Sequence, residues 1–302
     1  MYKYKVKQGD TLWGLANEYS KISTNHTNRQ AQAEIQKLNP RLTTLKIGAI
    51  INLPFKKDSD DIRSKTPYEK WKDTINGSST ISEWHEYDPI IKVIVSEFNS
   101  RLGKKSKNIE LTLPSLDWKW IKAIIWVESG GPTNSSWKTR PMQIGNPGDK
   151  GLGVLQRQEE ASNIIMDNDL RKNLHLINTP QVNIKAGTAY LLNRLALSEF
   201  KSVKSQTDRL EYTYTVTPGD NLDKIAKKVG TTVEELKISN PSKISRIHPN
   251  DVLKYHKASV ERVIVGWRPV SANTIAQRYN VGDPNYSRKL TYIINEIFSK
   301  KY

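Results

Sequence analysis

The sequence predicts an α+β chain of several domains. A mainly helical body accompanies two copies of a small strand–helix–helix–strand module, the second inserted into that body. Three observations carry this. "YKVKQGDTLWGLANEY" at 4–19 recurs as "YTVTPGDNLDKIAKKV" at 214–229. Between the copies, apolar residues recur at helical spacing. After the second copy only residues 258–302 remain, too short a tail for an independent core.

In the repeat, Tyr4, Val6, Gly9, Asp10, Leu12, Leu15 and Ala16 match Tyr214, Val216, Gly219, Asp220, Leu222, Ile225 and Ala226. Tyr4-x-Val6 alternates as a strand does, and Gly9-Asp10 makes a turn. Asp10 is placed to cap a helix starting near Thr11, whose buried face is Leu12, Leu15 and Ala16. Each copy then reaches an Asn-Pro pair, Asn39-Pro40 or Asn240-Pro241, and closes on "IGAIINLP" or "IHPNDVLKY". The first copy has a longer stretch between its helices, "KISTNHTNRQAQAE".

This repeat resembles the LysM module, a family that binds the N-acetylglucosamine backbones of peptidoglycan and chitin. The resemblance implies modules at 1–56 and 211–257, with glycan-binding turns at Gly9, Asp10 and Thr11 and at Gly219, Asp220 and Asn221. A scaffold repeat without ligand affinity is the alternative.

A polar linker, 57–67, leads into the helical body, read as 68–210 and 258–302. "DPIIKVIVSEFNSRL" takes Asp88 as cap and Pro89 as its first helical residue. "PSLDWKWIKAIIWVESGG" takes Ser115 as cap, with Asp117 in its first turn and Gly130-Gly131 as its stop. Thr179-Pro180 opens a third helix with Ile184, Gly187, Thr188, Leu191 and Leu195 along one side, where the small Ala186 and Gly187 are expected to let another helix approach closely. Past the second module, a strand-like Val260 to Val265 precedes two helices. The last is capped by Asp283-Pro284 and buries Leu290, Ile293, Ile294 and Ile297. "DRLEYT" and "SVERVIV" are expected to pair as a ribbon leading into the inserted module.

Four ordered motifs lie in this body: "WVESGG", "RPMQIGNPGD", "NIKAGTAYLL" and "AQRYN". They resemble the motifs of soluble lytic transglycosylases and goose-type lysozymes. The resemblance implies a lysozyme-like fold and cleavage of the β-1,4 bond between N-acetylmuramic acid and N-acetylglucosamine, with Glu128 as general acid. It implies that Ser129 steadies the helix end or the carboxyl, that Met142 and Gln143 line the cleft with Gln143 bonding sugar or backbone, that Tyr279 lies near Glu128 and helps orient substrate or carboxyl, and that Asn280 shapes its turn. Asn183 and Tyr190 are expected to be structural, since both lie on a packed helix.

Spacing agrees with a special carboxyl. Ile121, Ile124, Ile125 and Glu128 fall at i, i+3, i+4 and i+7, one helical face. Burial beside isoleucines disfavours the charged form and holds the proton that a glycosidase acid must donate. The alternative is a Glu that ends a helix and faces solvent. A hydrolase needs a second carboxylate to activate water, and Asp149, in a Gly/Pro loop, is the first candidate, followed by Asp167 and Asp169. A lytic transglycosylase instead uses the substrate's 6-hydroxyl to form a 1,6-anhydro end, and the sequence leaves both reactions open.

Composition excludes other classes. There is no cysteine, hence no disulfide or thiolate site, and the five histidines (26, 85, 175, 248, 256) lack metal-ligand spacing, so no metal or cofactor is expected. No apolar run reaches transmembrane length, and "MYKYKVKQGD" lacks the apolar stretch of a secretory signal, so a soluble protein made in the cytoplasm is expected. Net charge is +16, and residues 1–57 hold ten Lys/Arg against three Asp/Glu. Such a surface suits an acidic partner. No nucleic-acid motif supports DNA or RNA, whereas peptidoglycan is rich in carboxylates.

"RPMQIGNPGD" also resembles the lysozyme-type effectors of type VI secretion systems, and phage endolysins share the logic. That resemblance implies action in the periplasm or wall of a target cell, with a cognate immunity protein or secretion-system component as partner. The competing expectation is a wall- or chitin-binding protein whose lysozyme-like domain is inactive.

Overall fold

The computed structural model describes residues 1–23, 26–55, 66–243 and 246–299. The chain divides into two compact units, Met1–Trp71 and Lys72–Tyr302. Most of the linker read at 57–67 lies outside the described residues.

In the first unit, β1 (Tyr2–Lys5), α1 (Leu12–Ile22), α2 (Asn28–Leu38) and β2 (Ile50–Leu53) follow the expected order. β1 and β2 pair antiparallel, Tyr2 opposite Leu53 and Lys5 opposite Ile50. The two helices lie over this ribbon and bury Tyr4, Val6, Leu15, Ala16, Ala31, Ile35, Ile51 and Leu53. Asn39 explains the Asn-Pro signature. Its Oδ1 accepts Asn52 N–H (2.7 Å), and its Nδ2 donates to the carbonyls of Ile35 and Asn52 (2.7 Å each), joining helix end to strand. The helix cap is Thr11, which accepts Gly14 N–H at 2.9 Å, and not Asp10. The helix starts one residue later than expected, so Asp10 falls in the turn and accepts Tyr4 OH and Lys7 N–H (2.7 Å each).

α3 (Pro67–Ser78) contains the division between the units. The second unit is built on α4 (Asp88–Leu102), α5 (Trp118–Ser129) and α10 (Pro180–Leu195). Between the last two run the short helices α6 (Ser135–Thr139), α7 (Lys150–Gln156), α8 (Ser162–Ile165) and α9 (Asn168–Asn173). α5 is buried almost all round, with Ile121, Ile124, Ile125 and Trp126 at most 1% exposed. Its cap is Asp117, which accepts Lys119 N–H at 2.9 Å, rather than Ser115. Asp88 is likewise not a cap: it is the first residue of α4, and its carboxylate meets the buried Lys122 ammonium at 2.7 Å. A lysine taken out of water needs that counter-charge.

α10 ends at Leu195, where Ala196 turns extended. β3 (Ala196–Lys204) follows, and after the insert it pairs antiparallel with β6 (Ala258–Trp267), Lys204 opposite Ala258 and Phe200 opposite Arg262. The ribbon therefore forms, but the partner of "SVERVIV" is "LSEFKSVK" and not "DRLEYT". The second half of the latter lies in β4 (Glu211–Thr215), which pairs with β5 (Val252–His256) inside the insert. With α11 (Leu222–Val229) and α12 (Val233–Ser239), these strands repeat the first module. Asn240 repeats the role of Asn39, binding Lys254 N–H (2.8 Å) and the carbonyls of Leu236 and Lys254.

The chain closes with α13 (Ala272–Arg278) and α14 (Tyr286–Tyr292), which continues as a π-helical turn over 293–298. α13 packs on α10 and α14 on α5, so segments from either side of the insert share one core. α14 has no side-chain cap; Asp283 instead accepts Asn285 N–H (2.8 Å) and pairs with Lys289 (2.7 Å). Leu290, Ile293 and Ile297 are buried as expected, while Ile294 is half-buried.

Candidate functional site

The last turn of α5 carries Glu128, half-buried, on the face that Ile121, Ile124 and Ile125 bury. Two donors from the far end of the chain hold one of its oxygens. Tyr286 OH donates to Oε1 at 2.7 Å and Asn280 Nδ2 to the same oxygen at 3.2 Å. Among the described residues no donor reaches Oε2. Burial pushes the carboxyl above its ordinary range; the two hydrogen bonds oppose this, Asp283 reinforces it, and the net direction is upward. Such a group keeps its proton to higher pH than a free glutamic acid, with one oxygen fixed and the other able to donate.

Tyr286 escaped the sequence reading. It sits one helical turn before Leu290 on the buried face of α14, where its spacing marks it as core. It is 1% exposed. Burial first, and the Glu128 charge second, raise its phenol well above the usual value, so it remains a proton donor.

Tyr279 behaves likewise, raised by burial and then by Glu128. Its hydroxyl donates to Met142 C=O at 2.9 Å and so does not orient the carboxyl directly as expected, and its ring packs on Tyr190 with centroids 5.6 Å apart. Met142 is buried and pressed onto α10 at Gly187, where a Cβ would lie 2.6 Å from both its Cβ and Sδ. Asn183 fixes this loop to α10: its Oδ1 accepts Met142 N–H (2.9 Å) and its Nδ2 donates to Ile144 C=O (2.9 Å). Gln143 takes a left-handed φ of 57°, and its amide donates to Arg140 C=O at 3.0 Å. Its other side-chain partner is Asn146.

Ser129 steadies the helix end and not the carboxyl, since its hydroxyl donates to Ile125 C=O at 2.6 Å. Asp149 is the cap of α7. Its two oxygens accept the N–H groups of Gly145 (2.8 Å), Gly151 (2.8 Å) and Leu152 (3.3 Å). Asp167 caps α9 and pairs with Lys185 (2.9 Å), and Asp169 also pairs with Lys185 (3.3 Å). All three candidate second carboxylates thus have structural partners, a commitment hidden from the sequence because Gly/Pro loops and caps share residue types.

The two module turns match in detail. Gly9 and Gly219 take φ of 89° and 86°, left-handed values that suit glycine. Asp220 accepts Tyr214 OH and Thr217 N–H (2.8 Å each), as Asp10 accepts Tyr4 and Lys7. Asn221 caps α11 through Lys224 N–H (2.8 Å), as Thr11 caps α1. The aspartates therefore shape the turns. Trp13, missed in the sequence, is 62% exposed just past Thr11, off the buried stripe of α1, and offers an open indole face.

A cavity of about 900 Å³ between α4, α9 and α10, lined by Ile90, Val93, Leu170 and Lys185 among others, does not include Glu128. Among the described residues no cluster of His, Asp or Glu could hold a metal ion, and no helix is long and apolar enough to cross a membrane.

With this geometry in view, the LysM domain family matches residues 4–54 and 214–254. The chain thus carries two LysM domains, which indicate binding of peptidoglycan- or chitin-type glycans and association with a cell wall. Comparisons with curated proteins and with solved structures returned no match.

Proposed function

We propose that this glycan-binding chain also cleaves the glycan strand of peptidoglycan, between N-acetylmuramic acid and N-acetylglucosamine, with Glu128 as the general acid. The observation that carries the reading is the carboxyl itself: raised by burial, held through Oε1 by Tyr286 and Asn280, and open at Oε2. A proton on Oε2 passes to the glycosidic oxygen as that bond breaks. The order of the four lysozyme-like motifs supports the same reading, as does the contact of Tyr279 with the Met142 loop.

The second half of the reaction follows from how the carboxylates are engaged: Asp283, which acts on Glu128, is paired with Lys289 (2.7 Å). Asp149, Asp167 and Asp169 are engaged by backbone amides or Lys185, which favours a reaction without a second carboxylate. In that reaction Glu128, now ionised, takes the proton of the substrate's 6-hydroxyl as it closes on the anomeric carbon. The product is a 1,6-anhydro end. Two linked weak LysM sites would hold the enzyme on its polymer by avidity. Delivery to a target wall, with an immunity protein or secretion-system component as partner, belongs to this reading and rests on the resemblance of "RPMQIGNPGD" alone.

Glu128→Gln removes the proton and keeps the shape. It should lower wall clearing by about 10²- to 10⁴-fold while leaving pelleting with walls intact. Clearing at the parental rate would sink the assignment. Unchanged pelleting with no clearing even by the parent protein would leave the binding-only alternative. Fragment masses decide the chemistry: products one water lighter than reducing-end muropeptides mean anhydro ends.

A further inference from the structure

A second cavity, of about 930 Å³, opens where the β3–β6 ribbon meets the helical body. Its size is within the range of small-molecule sites, roughly 300–1,000 Å³. Asn108, Gln158, Glu160, Asn163 and Arg262 line it together with one aromatic ring, Phe200. That ring is 64% exposed, and the Arg262 guanidinium covers it at 4.4 Å. The charges in the lining balance: Arg101, Lys107 and Arg262 face Glu159, Glu160 and Glu261. Glu261 is already engaged by Lys107 (3.1 Å) and Asn108 (2.9 Å). Arg101 donates to the carbonyls of Ile164 and Ile165, and Arg262 to Ser198 Oγ (3.2 Å) beside the Phe200 ring, so an anion would have to displace such contacts. A neutral ligand with many hydroxyls would instead find amides and carboxylates for its hydroxyls and a ring for its apolar face.

Two further observations mark the cavity as built. Gln158 and Glu160, neither of them glycine, take left-handed φ values of 53° and 52° in its wall. Strain of this kind persists where surrounding structure enforces it, and it clusters at ligand sites. Here the enforcement comes from α10, as Glu160 accepts Asn193 Nδ2 (3.0 Å) and pairs with Arg194 (2.6 Å). Tyr190, Asn193 and Arg194 stand at i, i+3 and i+4, one stripe of the helix. Tyr190 meets Tyr279, and Arg194 Nε donates to the carbonyl of Arg278 at 3.2 Å. The stripe thus joins the cavity wall to the neighbourhood of Glu128. In the other direction, Phe200, Ser202 and Lys204 share one face of β3. Ser202 bonds Thr232, and Lys204 pairs with the buried Glu235 at 3.0 Å, so the same face seats the second LysM domain.

We propose that this cavity is a saccharide-binding subsite that holds a neutral, hydroxyl-rich stretch of the glycan between the second LysM domain and Glu128. It rests on the reading of the chain as a protein that acts on glycan strands. Phe200 stacks on a sugar ring, and the side chains of Asn163 and Gln158 bond its hydroxyls.

Hydrogen exchange of the full chain with the N-acetylglucosamine hexamer tests this at peptide resolution. Exchange should slow over 157–164 and around Phe200 and Arg262, in addition to the LysM domains. Phe200→Ala should weaken the cavity response about fivefold, the loss of one stacking contact, and Asn163→Ala should weaken it less; LysM protection stays in both. Glu128→Gln should keep the cavity response, which separates this site from the catalytic reading. Protection confined to the LysM domains, or unchanged by both cavity variants, overturns the proposal even if the protein cleaves walls. So does protection of these segments by inorganic phosphate but not by the hexamer.

Discussion

At the scale of single residues, the distinctive feature of Glu128 is that the forces on it oppose one another. Burial favours the neutral acid, while Tyr286 and Asn280 donate to an oxygen and favour the anion. Tyr286→Phe removes the nearer donor and should raise the carboxyl further. The basic limb of the pH–rate profile, or a carboxyl titration followed by NMR, should move up, and an unmoved or lowered limb would refute the role given to Tyr286. Stability carries the same sign. The folded pKa lies above the ordinary 4.5, so the contribution is full below that value and lost as pH rises through the folded one. Gln resembles the protonated form, so Glu128→Gln should melt higher than the parent above neutral pH, with the gain fading toward pH 4.5. A gain independent of pH would mean that the carboxyl is not strained by its charge. The direction of this shift was legible in the isoleucine spacing. Its counterweight was not, because Tyr286 lies 158 residues away.

At the scale of elements, the contact between α10 and the Met142 loop decides how the site is assembled. Gly187 lets the loop lie on the helix, and Tyr279 then closes on the Met142 carbonyl. Gly187→Ala puts a methyl 2.6 Å from Met142 Cβ and should cost about 1–3 kcal/mol, with a loss of wall clearing alongside the drop in melting temperature. Gly77→Ala, in α3 with nothing within 4 Å of the new methyl, should be neutral or stabilising by up to about 1 kcal/mol. If the two variants melt alike, the close approach is not what Gly187 is for. The small residues of "NIKAGTAYLL" pointed to a neighbouring helix, but the group pressed on Gly187 is the Met142 loop, because side-chain size shows room for an approach and not which element fills it. The caps show a similar limit. Asp10, Ser115 and Asp88 each stand near a helix start, and the true first residue depended on whether a carboxylate was drawn to Tyr4, or to a buried Lys122.

For the second unit as a whole, the insert leaves and returns through paired residues, Lys204 opposite Ala258. Replacing residues 205–257 by a two-residue turn should therefore leave the helical body folded, since α10 and α13 keep their packing. Such a protein should retain its far-UV spectrum and a cooperative melt while pelleting less with walls. An unfolded product would mean that the seat of Glu235 on Lys204 is part of the body's core. Taken alone, the sequence determined the repeated module, its turns and the faces of the long helices, including the face of α5 that carries Glu128. Those follow from contacts within a few residues along the chain, where spacing dictates geometry. Only the tertiary structure decided which strand partners "SVERVIV", that Asp149 is a cap, and that two donors meet on Oε1. Those outcomes depend on which distant groups compete for the same amide or carboxylate, and burial settles that competition once the chain has closed.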